Sequence, residues 1–221
     1  MTRLLWCVFS TATLLITDNW QAIDWAVQCK VNIISIDFPF DERSIMEEEI
    51  AMKNASRYGI VMLCSAAGET NHRFPGYVRR VCITIGAATH RGEQSALTDD
   101  ERFDCLLPGE NILLQDSNGR VQSSESGNHV AMAIASGVTG LLIFCCNLAA
   151  PEHINPISPD AMRYLFRDLS REYGKFKISH LFRGHFKNLS WQVSQDKSRE
   201  YISDLVEEIQ AWESYAKLSR D

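Results

Sequence analysis

The chain of 221 residues has no histidine before His72, no Cys-x-x-Cys pair and no excess of positive charge. The histidines form no ligand cluster beyond a loose His180 and His185, so a zinc site has little support, and no metal or cofactor is expected. A formal net charge of -6 disfavours general nucleic-acid binding. One basic and aromatic stretch, Lys175, Phe176, Lys177, His180, Phe182, Arg183, His185, Phe186 and Lys187, has the chemistry to touch a phosphate, but such a run reads first as the solvated side of a short helix or loop. Seven cysteines make an odd count, and Cys64, Cys82, Cys145 and Cys146 lie inside apolar runs. Buried free thiols in a reducing compartment explain them better than a disulfide framework, which points to the cytoplasm, with secretion as the alternative.

Two further absences concern structure. Asp41 to Tyr58 contains neither glycine nor proline, which leaves a helix free to run until Gly59 stops it. Val130 to Ala150 contains no charged residue and is long enough to span a bilayer. Its Ser136, Gly137, Thr139 and Gly140 also suit a central helix packed closely by strands, and the core reading is favoured. Leu4 to Ile16 follows Arg3 and fits the core of a signal peptide, but no small-residue cleavage site follows; a strand accounts for it equally well. Asn54-Ala55-Ser56 and Asn188-Leu189-Ser190 fit a glycosylation sequon, a pattern short enough to recur by chance.

What is present reads as alternating strand and helix. Strands are expected at Leu4 to Phe9, Val31 to Ile36, Ile60 to Cys64 and Val81 to Ile85, and helices at Asn19 to Gln28, at Asp41 to Tyr58 and from Asn128. A polar loop covers His90 to Arg102. That order predicts a mostly parallel sheet with helices on both faces, an α/β three-layer fold. With 45% hydrophobic and 23% charged residues, the chain suits one domain with an appendage. Residues 1–150 form the expected domain and residues 151–221 a helical C-terminal extension. In that extension Pro156 and Pro159 mark a linker, Asp160 to Tyr173 reads as a helix, and Tyr201, Leu205, Ile209 and Trp212 make an apolar stripe.

Four motifs carry more specific information. Gly127-Asn128-His129-Val130-Ala131 opens the long apolar helix; Phe103 to Ile112 is an apolar strand closed by Pro108-Gly109. Phe74-Pro75-Gly76-Tyr77 leads into Val81 to Ala87, and Ile60 to Cys64 runs into Ser65-Ala66-Ala67-Gly68-Glu69. In order and spacing these resemble the second half of the subtilisin-like serine peptidases: their Gly-Thr-Ser-x-Ala nucleophile turn, the Pro-Gly turn, the Tyr-Pro-Ala segment, and the strand ending Ala-Ala-Gly-Asn. The resemblance covers residues 18–146. It implies a subtilisin-like fold and a substrate groove at Asp37, Phe38, Pro39, Ala66, Ala67 and Gly68.

The same resemblance places His129 where the family has its serine nucleophile, and a histidine has no hydroxyl to acylate. It places Glu69 where an asparagine amide steadies the oxyanion, a contribution of roughly 3 to 4 kcal/mol that a carboxylate would reverse. Pro39 stands where the family pairs backbone with its substrate, and proline has no N–H to donate. The catalytic aspartate and histidine of the family precede the segment that Val31 begins, a stretch without histidine here. The expectation is therefore a degenerate domain, its early strands missing, that binds a peptide or protein ligand, with no nucleic-acid or membrane partner. An active serine endopeptidase, or a truncated fragment without function, are the alternatives.

Overall fold

The computed structural model describes residues 7–8, 19–37, 44–66, 81–98, 103–149 and 157–173, together with 206, 207, 210, 211 and 214. Eleven elements follow in order: β1 (Cys7–Val8), α1 (Asn19–Gln28), β2 (Ile33–Ile36), α2 (Ile45–Arg57), β3 (Val61–Ser65), β4 (Cys82–Ala88), β5 (Cys105–Pro108), β6 (Ile112–Gln115), β7 (Val121–Glu125), α3 (Asn128–Ala149) and α4 (Pro159–Tyr173). The first five strands form one parallel sheet in sequential order, and β6 with β7 forms a separate antiparallel hairpin. Because the strand order advances in one direction, crossovers of one hand carry α1 and α2 to the same face and leave the other to α3 and α4.

Strand periodicity divides the core accordingly. Ile34, Ile36, Met62, Cys64 and Cys82 pack with Ile23 and Ala26 of α1 and with Ala51, Met52 and Ala55 of α2. Their neighbours Ile33, Val61, Leu63, Ile83, Ile85 and Ala87 point the opposite way, onto Ala131, Ala135, Val138 and Leu142 of α3 and Met162 and Phe166 of α4. Every residue of β2, β3 and β4 is buried, as a strand covered on both faces requires. Each of the larger of these side chains contributes roughly 1.5 to 3 kcal/mol by leaving water.

The charge-free helix belongs to this core: two-thirds of its most apolar window (67%) is buried, although by length and composition it is able to cross a membrane. A hydroxyl pair, Ser35 Oγ and Ser136 Oγ at 2.5 Å, ties β2 to α3, and Ser136 also donates to the Met132 carbonyl. On the far side α4 shares the α3 core and is held by Arg163, which donates to the Cys82 carbonyl at 2.8 Å and lies 3.6 Å from Asp104. Val206 is buried against the same cluster.

Both crossover helices end alike. The N–H of Ile60 returns to the Ala55 carbonyl past Gly59, whose φ is 74°, and that of Val31 returns to Ala26 past Lys30, at φ 54°. The sequon at Asn54 lies within α2.

Candidate functional site

In a parallel α/β sheet, ligands bind beyond the carboxyl ends of the strands, where loops open and helices begin. Here Asp37 follows β2, Ala66 follows β3, Gly109 follows β5 and α3 starts, all along that edge. One side chain gathers these ends. Asn128 is buried, and its Oδ1 accepts from the Ala87 N–H at 2.8 Å and from the Thr98 hydroxyl at 2.6 Å, while its Nδ2 donates to the carbonyls of Ala66 (3.0 Å) and Leu97 (3.1 Å). All four of its hydrogen-bonding positions are therefore used.

Two glycines make the turn into α3. The Gly127 N–H donates to Gly109 at 2.8 Å, and the Gly127 carbonyl takes the first helical N–H groups, from Val130 and Ala131. A Cβ at Gly109 would sit 2.6 Å from that of Ala87, and Gly127 has φ 149°, so neither position tolerates a side chain. A Cβ at Gly127 would also lie 2.5 Å from Cε1 of His129. The imidazole thus folds back over the turn, in the first turn of α3 and exposed to solvent.

Four described hydroxyls near this edge already have partners. Ser65, buried at the end of β3, donates to Asp37 Oδ1 at 2.6 Å; Thr98 donates to Asn128; Ser126 accepts from the Asn111 N–H at 2.8 Å. Ser95, also buried, donates to Glu110. Of the residues expected at the site, Asp37, Ala66 and His129 lie along this edge, with Ala66 joined to the α3 turn through Asn128. Phe38, Pro39, Ala67, Gly68 and Glu69 lie outside the described residues. No cluster able to hold a metal ion occurs among the described residues.

Sequence reasoning passed over Asn128, Thr98 and the Ser65–Asp37 pair. Only Asn128 carried a local signal: an asparagine beside a glycine, directly before a long apolar helix, marks a helix entry. Thr98 and Ser65 acquire their roles from partners 30 and 28 residues away, and no local pattern announces that.

Comparison with solved structures identifies the architecture. The PatG macrocyclase in complex with peptide aligns over 66% of this chain and 44% of its own length, with 20% identity and a TM-score of 0.52. The patellamide maturation protease PatA aligns over 87% of this chain and 68% of its own, with 18% identity and a TM-score of 0.50. The fold is that of a subtilisin-like α/β domain. By sequence, the major intracellular serine protease of Bacillus subtilis (strain 168) is 30% identical over an alignment of 129 residues that covers 52% of this chain and 39% of that protease. The chain thus spans less than half the length of the Bacillus protease and of the macrocyclase. No family model matches it.

Proposed function

We propose that this chain is a subtilisin-like domain without peptidase chemistry, acting as a binding or regulatory module for a peptide or protein ligand. The observation that carries the reading is His129: an exposed imidazole, folded over Gly127, at the helix start where the resemblance puts a serine. Acyl transfer needs a nucleophilic oxygen beside a base and donors for the oxyanion. By the same resemblance, Glu69 brings negative charge to the place of one donor. The supporting frame is nonetheless kept, with Asn128 using every hydrogen-bonding position to hold the strand ends. A fixed edge without a nucleophile suits binding better than turnover. The free thiols among the described residues, five of them buried, suit a reducing compartment, and the Bacillus relative is an intracellular protease.

The test is incubation with unfolded casein, followed for binding and for cleavage. Binding with no new amino termini is expected from the native chain. His129→Ser should remain inactive, because by the resemblance the histidine that would take the hydroxyl's proton belongs ahead of Val31, where this sequence has none. Cleavage by either protein would overturn the reading, and absence of casein binding would remove its ligand half.

A further inference from the structure

We propose that the outer stripe of α3 is a self-association surface, through which two copies of the chain pair about a two-fold axis at Leu141. This goes beyond the binding role of the sheet edge. Along α3 the exposed positions are His129, Ala133, Gly137, Leu141, Phe144 and Leu148, one per turn, and the residues between them are buried or half-buried where described. Leu141, Phe144 and Leu148 are 45%, 45% and 54% exposed, a large apolar surface for one helix to leave in water. No charged side chain lies anywhere on α3.

The order of sizes names the occupant. Ala133 and Gly137 precede Leu141 by eight and four residues, and Phe144 and Leu148 follow it by three and seven. Small side chains lie on one side of Leu141 and large ones on the other, at nearly mirrored spacing. Antiparallel pairing with a second copy sets Gly137 against Phe144 and Ala133 against Leu148, large into small, with Leu141 meeting itself on the axis. Gly137 fits this arrangement: glycine weakens a helix interior, and a Cβ there would meet nothing within 4 Å in its own chain. Opposed helix dipoles favour the pairing. The net charge of -6 on each copy opposes it, but none of that charge lies on the stripe.

Area sets the strength. A stable interface takes about 800 Å² from each partner, and five residues on one helix supply less than that, so the dimer is concentration-dependent rather than obligate. The 12 residues from His129 to Leu141 rise about 18 Å, so the two sheet-edge sites lie about 36 Å apart and both stay open.

Sedimentation velocity between about 1 μM and 500 μM tests this, a range that brackets weak association. Reversible dimerisation is expected for the native chain, weakened at least about tenfold in Leu141→Glu, which places like charges together on the axis. Gly137→Leu, which fills the space for Phe144, should weaken it too. Under mild oxidation, Leu141→Cys should cross-link to itself well above the native chain, whose Cys145 and Cys146 are buried, and well above Leu148→Cys. A monomer throughout the range overturns the proposal, whether or not it floats with phosphatidylcholine vesicles. So does a dimer that Leu141→Glu and Gly137→Leu leave unchanged, or equal cross-linking at both cysteine positions.

Discussion

Asn128 concentrates more of the site in one side chain than any other described residue. Replacing it with alanine leaves the Ala66 and Leu97 carbonyls without the buried donor they have, at roughly 1 to 3 kcal/mol for each group left unsatisfied, while the Thr98 hydroxyl keeps its bonds with the Ala87 backbone. Local rescue by water reduces the sum, so Asn128→Ala is expected to lose about 3 kcal/mol, read as a lower urea midpoint with the slope unchanged. At this scale the sequence was legible only in part. His129 stands out only through the resemblance, which puts a serine at that position; Asn128, beside it, carries only the modest signal of a helix entry. Hydrogen bonds that reach across 30 to 60 residues leave no periodicity to read.

Elements were more legible, because each carries its own repeat and its own stop. The helix over Asn19–Gln28 was readable from Ile23, Ala26 and Val27, and the end of α2 from Gly59. The expected strand begins too early, at 31 against Ile33, since apolar residues run on ahead of it; α2 begins at Ile45 after a turn at Ser44, and the start expected at Asp41 lies outside the described residues. The β6–β7 hairpin was not foreseen. Its strands are exposed on both faces and carry no alternating burial, although Asp116-Ser117-Asn118-Gly119 is a turn signal, and Asp116 does accept from the N–H groups of Asn118 and Arg120.

Two predictions belong to elements. Lys30 occupies the left-handed position that Gly59 fills in the equivalent turn, so Lys30→Gly should raise stability by about 1 kcal/mol, seen as a higher urea midpoint. Arg163 anchors α4 through the Cys82 carbonyl, Asp104 and Asp160, and its side chain is 9% exposed. Arg163→Met keeps much of the volume but strips the half-buried Asp104 carboxylate of one partner, leaving it to Arg167 and the Thr84 N–H. A loss of about 3 kcal/mol is expected, together with faster hydrogen exchange in α4.

For the whole molecule, the order of strands and helices was readable because both faces of the sheet demand continuous apolar strands and because same-handed crossovers leave few topologies. The buried thiols add a pH dependence. Burial, then the neighbouring Cys64, pushes the Cys82 thiol well up; burial, then Asp104, does the same for Cys105. In the unfolded chain both ionise near the ordinary value of about 8.5, while in the fold they stay neutral. The unfolded state therefore releases protons first, so their contribution is fully present below about pH 8 and is lost as pH rises beyond that. The urea midpoint should fall between pH 7.5 and pH 9.5, and less steeply in a Cys82→Ala, Cys105→Ala double variant.

Covalent labelling bears most directly on the proposed loss of the nucleophile. The most direct measurement is intact-mass analysis of the native chain after exposure to a serine-directed fluorophosphonate, with an active subtilisin-like protease alongside. No adduct is expected on this chain under conditions that label the active protease fully. A stoichiometric adduct on any serine, lost on denaturation before labelling, would contradict it and restore the enzyme reading.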